Sequence, residues 1–139
     1  GGAAGRARGA RGHARDAANQ RQALGQPIPA FQALPCMRAD MATEIDAARR
    51  LCYRAATIKD AGEKVTQASA MAKLYASEVA VRATEKGVQI FGGYGFIKDF
   101  PAEKYYRDVK LCTIGEGTSE IQRMVIARHI LNESHAAIR

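Results

Sequence analysis

The stretch "CTIGEGTSEIQR", from Cys112 to Arg123, sets one carboxylate, Glu116, between two glycines and just ahead of a helix-start signal. Glycines at Gly115 and Gly117 let the backbone take positive φ and come close to a bound molecule. The helix N-terminus that follows offers free N–H groups and a partial positive charge. An acid so placed can be held by that dipole, or it can project into a pocket as a base. It can also be an ordinary solvated loop acid, and taken alone these residues name no reaction.

Three other stretches could carry chemistry. "QIFGGYGF", Gln89 to Phe96, puts three glycines after an apolar helix end. That pattern fits a helix C-cap with a tight turn, or a backbone that approaches a flat or phosphorylated ligand. It follows no strand, so it is not a dinucleotide-fold fingerprint. "RQALGQPIPAFQ" holds Arg21 and Gln32 on either side of a Gly/Pro turn. Arginine suits bidentate phosphate binding, and a surface arginine in an interhelical loop is the plainer alternative. "GRARGARGHAR" could neutralise nucleic-acid phosphates, but it lacks interleaved aromatics for base stacking. A solvated, disordered tail fits it better. Cys112 reads as a core thiol, with no nearby His to activate it.

These residues must be positioned by a chain of 139 residues, enough for one buried core. It opens on Gly1, as a piece of a longer protein would. With 6% aromatic residues and no Trp, the core must be aliphatic and rich in Ala. The net charge of +7 is uneven: Gly1 to Gln22 carry +4 and the remainder +3, so the basic balance belongs mainly to the N-terminal end. Three cysteines without a CxxC pair and three scattered His give no metal spacing and fit buried thiols in a reducing compartment. No apolar run approaches the roughly 18 residues of a membrane span.

The periodicity predicts helices throughout. Gly1 to Gly12 is Gly/Ala/Arg low complexity, where each Gly costs helix up to about 1 kcal/mol, so disorder is expected there. Helix is plausible from His13 to Leu24, closed by Gly25, Pro27 and Pro29. A long helix is predicted from about Phe31 to Lys59, with Met37, Met41, Ile45, Ala48 and Cys52 on one face. A second runs from about Thr66 to Phe91, and a short one follows Pro101. The last starts at Thr118 or Ser119, where Ser119 and Gln122 have capping-box spacing, and continues to about Asn132, leaving 133–139 as a tail. No segment alternates long enough to be a strand. The expectation is an all-α, up-and-down four-helix bundle over 13–132 with a truncated or frayed first helix.

Together the motifs resemble the C-terminal domain of the acyl-CoA dehydrogenases, flavoenzymes that oxidise acyl thioesters to enoyl thioesters. "RQALGQPI", "FQAL", "ADMATEIDAARRLCYRAA", "AMAKLYASEVAVRATEKGVQIFGGYGF" and "YYRDVKLCTIGEGTSEIQRMVIARHIL" stand in the family's order, over roughly Ala14 to Leu131. The resemblance implies FAD as cofactor, an acyl-CoA substrate, an electron-transfer flavoprotein as electron acceptor, and a homodimer or homotetramer. It implies no nucleic acid and no membrane span. The location it implies is cytoplasmic in a bacterium and the mitochondrial matrix in a eukaryote.

The resemblance also implies residue roles. Glu116 would be the catalytic base that removes the α-proton while the β-hydrogen leaves as hydride to flavin. Its backbone N–H would hold the thioester oxygen as enolate charge develops, with Gly117 against the substrate. Arg21 matches the family's flavin-pyrophosphate arginine and Gln32 its partner. Gln89, Ile90, Phe91, Gly92 and Gly93 match the segment that meets FAD of a neighbouring subunit. Thr118, Ser119 and Glu120 match the flavin contact after the base. Leu24 stands where the family usually has Phe, and Gly115 where many members have Tyr, which would widen the acyl pocket. The family's N-terminal helical and middle β domains are missing, so this chain alone is expected to bind FAD poorly and not to turn over. A flavin acyl-CoA oxidase and a non-catalytic helical module are the alternatives.

Overall fold

The computed structural model describes residues 2–20, 22–23, 26–27 and 33–137. In chain order these form α1 (Gly2–Gln20), β1 (Gln22–Ala23), β2 (Gln26–Pro27), α2 (Ala33–Asp60) and α3 (Thr66–Phe91). A 3-10 turn (Gly92–Gly95), α4 (Ala102–Val109), α5 (Leu111–Ile114) and α6 (Ser119–Ala137) complete the chain. The four longer helices make the expected all-α bundle. The short β1 and β2 pair antiparallel, Gln22 opposite Pro27 and Ala23 opposite Gln26. Two-residue strands are too short to leave a period in the sequence.

Helix α3 is the hub, packing against α1, α2, α4 and α6. Its small residues make that possible: Ala76, Ala80 and Ala83 are buried together with Val79, so neighbouring backbones can approach closely. Met41, Ile45 and Ala48 of α2 and Ala7 and Ala14 of α1 close the same core. Ion pairs stitch the outside, Arg82 to Glu44 at 3.0 Å and Lys86 to Asp40 at 3.3 Å, both between α3 and α2. Such partly exposed pairs contribute little each.

The first twelve residues overturn an expectation. Disorder was expected, but α1 starts at Gly2 and buries Ala7, Ala10 and Ala14. These alanines recur at three- and four-residue steps and face α3, where a Cβ added to Gly87 would sit 3.8 Å from the Ala10 Cβ. Burial against a partner helix outweighs the weak intrinsic propensity of a glycine-rich segment. Tyr105 of α4 lies against His13, with ring centroids 5.6 Å apart. At the other end α6 continues to Ala137, past the boundary expected at Asn132. Leu24 lies outside the described residues.

Candidate active site

The α5–α6 connection carries the site. Gly115 closes α5 in extended backbone, φ −70° and ψ 155°, which any residue can adopt. The left-handed residues are Glu116 itself, φ 55°, and Gly117, φ 90°. The flexibility expected of both glycines is therefore used only at Gly117, and the acid carries a backbone conformation unfavourable for a side-chain-bearing residue. Among the described residues Glu116 is the sole non-glycine with positive φ. Strain of this kind clusters at functional sites.

The loop is held by side chains from two helices. Gln122 donates through Nε2 to the carbonyls of Glu116 at 3.3 Å and Gly117 at 3.4 Å. Lys73, on α3, donates its ammonium to the same Gly117 carbonyl. Neither residue was singled out in the sequence for this work. The signal at Lys73 was a lone cation inside the Ala-rich run "ASAMAKLYAS".

The cap differs from expectation. Thr118 is the capping residue: its Oγ1 accepts from the Ile121 N–H at 3.4 Å. Ser119 is the first helical residue, and Gln122 turns back to the loop carbonyls. Physically, the left-handed pair before Thr118 sets its hydroxyl over the open helix end, the position the capping box had given to Ser119. Ser119 is buried at 6% exposure, and its hydroxyl has no hydrogen-bond partner among the described residues. A buried hydroxyl without a partner costs free energy, so a polar ligand group is the natural complement. Glu120 is exposed, and its carboxyl is held below the ordinary range. Its own backbone N–H is the largest cause, then the Thr118 hydroxyl, with Arg123 and Lys110 adding smaller charge effects.

Two cavities flank this connection. One, of about 610 Å³, is lined by Glu116, Gly115, Lys73, Ala76, Cys112 and Arg6 among others. The second, of about 350 Å³, is lined by Thr118, Ser119, Glu120, Lys110 and Arg82 among others. Glu116 and the three residues after Gly117 thus open onto different spaces.

The glycine segment lies elsewhere. Lys73 and Gln89 are sixteen residues apart on α3, hence ~24 Å along the axis. Gly92, φ 61°, ends α3 and its N–H bonds to the carbonyls of Gln89 and Val88. A Cβ at Gly95 would fall 2.5 Å from the Val88 carbonyl oxygen, so this glycine is required by the turn. Gly93 has nothing within 4 Å of a notional Cβ and is open to approach. Ile90 and Phe91 are buried in the core at 4% and 7% exposure, so their side chains serve packing, while Gln89 is exposed. Arg21 and Gln32 lie outside the described residues. No metal-binding group of His, Cys, Asp or Glu occurs among the described residues.

The sequence pattern of the family described as "Acyl-CoA dehydrogenase, C-terminal domain" matches residues 1–131, and the chain belongs to that family. It is 52% identical over 114 residues to the Bacillus subtilis protein named "Probable acyl-CoA dehydrogenase YngJ", covering 82% of this chain and 30% of that protein. It is 48% identical to the mitochondrial short-chain specific acyl-CoA dehydrogenase of Bos taurus, covering 82% of this chain and 28% of the relative. The solved butyryl-CoA dehydrogenase of Megasphaera elsdenii superposes with a TM-score of 0.91 at 43% identity, covering 93% of this chain and 34% of that one. The chain therefore spans about 30% of the length of the curated relatives it matches.

Proposed function

We propose that this domain supplies the catalytic base of an acyl-CoA dehydrogenase, with Glu116 abstracting the α-proton of an acyl thioester. The observation that carries the reading is the left-handed backbone of Glu116. Glu116 is exposed in the structure, and a base set between two bound molecules has a use for that conformation that an ordinary loop acid lacks.

Family membership supports FAD as the bound group, and the orphaned Ser119 hydroxyl at the α6 N-terminus fits a flavin better than an apolar neighbour. Thr118, Ser119 and Glu120 would hold it on the 350 Å³ side. Arg21 would bind the flavin pyrophosphate with Gln32 as its partner, and the segment Gln89, Ile90, Phe91, Gly92 and Gly93, whose first residue lies ~24 Å along α3 from Lys73, would meet the FAD of a neighbouring subunit. A flavin held by these residues would supply the hydride-accepting chemistry for the substrate's β-hydrogen.

The remaining chemistry belongs to this chain. The Glu116 carboxylate takes the α-proton as general base. Gly117 lies against the substrate, and the backbone N–H of Glu116 stabilises the developing enolate oxygen. The substrate is an acyl-CoA in the 610 Å³ cavity. Gly115 leaves room there for longer or branched chains. Its extended backbone suits a side-chain-bearing residue, at the cost of a tight 3.3 Å approach of the Cβ to the Leu111 carbonyl oxygen, and Gly115→Tyr should shift preference toward short straight chains. The electron acceptor is an electron-transfer flavoprotein, and the working assembly is a homodimer or homotetramer. The location follows the family: bacterial cytoplasm or mitochondrial matrix.

The test is Glu116→Gln in the full-length gene product. Flavin absorbance should be retained, and α-proton exchange of a saturated acyl-CoA into D₂O should fall by roughly 10²–10⁴-fold. Exchange at the unsubstituted rate would overturn the assignment.

A further inference from the structure

We propose that Lys73 and Gln122 are positioning residues that clamp Glu116 in its left-handed conformation. The inference rests on the reading of Glu116 as the base. The left-handed region is unfavourable for a side-chain-bearing residue, so Glu116 stays there only if its surroundings hold it. The side chains that hold it come from two helices. Gln122 of α6 donates to the carbonyls of Glu116 and Gly117 at 3.3 and 3.4 Å. Lys73 of α3 donates to the same Gly117 carbonyl.

Charge and placement make Lys73 the stronger member. It is half-buried, lines the cavity that Glu116 lines, and has no carboxylate partner within ion-pair distance among the described residues. A hydrogen bond from an ammonium is about twice as strong as a neutral one. It also spans 44 residues of sequence, tying the loop to the hub helix and not merely to its own neighbour.

Fixing two successive carbonyls fixes two peptide planes. In a trans peptide the N–H points opposite to the C=O. Holding the Glu116 and Gly117 carbonyls therefore sets the directions of the Gly117 and Thr118 N–H groups. The clamp thus fixes the two peptide planes that follow the acid's Cα, and with them its exit from the left-handed turn. Gly117 fits the same logic: a Cβ there would fall 2.7 Å from the Gln122 Nε2, where the clamping amide sits.

The experiment is backbone ¹⁵N relaxation on the 139-residue chain and on Lys73→Met, which keeps the stem and removes the ammonium. Order parameters at Glu116 and Gly117 should fall from about 0.85 to below about 0.6, while α3 stays rigid. Lys73→Arg should restore them. Unchanged order parameters would overturn the clamp, and so would loosening of α3 as a whole, which would make Lys73 a packing residue. Should Lys73→Met fail to fold, Gln122→Leu reads the same two amides with the same expected fall, and rigidity there would overturn the proposal. No flavin or thioester is present in this measurement. Its failure therefore removes the clamp alone, and a Glu116→Gln protein that still exchanges α-protons removes the base assignment alone.

Discussion

A side-chain-bearing residue at φ 55° is a small store of strain, and Glu116 holds it where the loop meets the larger cavity. Glycine adopts that conformation freely. Glu116→Gly should therefore raise stability by about 1 kcal/mol, read as a higher urea midpoint, while removing the proposed base. Glu116→Gln should leave the midpoint unchanged. A Glu116→Gly chain no more stable than the parent would mean that the loop relaxes without the acid's help. Gly117→Ala should act oppositely and cost about 1–2 kcal/mol, since φ 90° disfavours a Cβ and the amide of Gln122 occupies its space. The acid, its glycines and the start of the following helix were legible in the sequence, while the capping hydroxyl belongs to Thr118 and not to Ser119. Which of the three residues bends was not, because that choice depends on Lys73, far away in sequence and brought near only by the packing of α3.

Helices divide by how locally their ends are written. Helix α3 has the bounds its pattern predicts, Thr66–Phe91, because Gly92 closes it and alanines fill it. Helix α1 does not, because its stability comes from Ala7, Ala10 and Ala14 meeting α3, a contact invisible to any local window. In the glycine turn the structure separates residues that the sequence groups. Gly95→Ala should cost about 1–3 kcal/mol, since its Cβ would collide with the Val88 carbonyl. Gly93→Ala should stay within about 0.5 kcal/mol in the same denaturation series. The α6 N-terminus should respond to acid. Glu120 is held below its ordinary 4.5, so its contribution is fully present above that value and is lost as pH falls through the lower folded value. Glu120→Gln should lessen the loss of thermal stability between about pH 5 and pH 3. An identical acid slope in both proteins would exclude that contribution.

The bundle places a strained acid beside one cavity and, beside another, a buried hydroxyl with no partner among the described residues. No helix among the described residues is long and apolar enough to cross a membrane. Large apolar side chains remain exposed on α5 and α6, including Leu111, Ile114, Met124 and Leu131. Their exposure accords with a domain that makes up about 30% of its relatives' length. The all-α class and the order of the site residues follow from periodicity and motif. The division into two spaces does not, because it arises where α3, α5 and α6 meet. The account stands most directly on α-proton exchange of a saturated acyl-CoA in D₂O by the full-length gene product and its Glu116→Gln variant. It predicts retained flavin absorbance with exchange reduced by roughly 10²–10⁴-fold; exchange at the parent rate would contradict it.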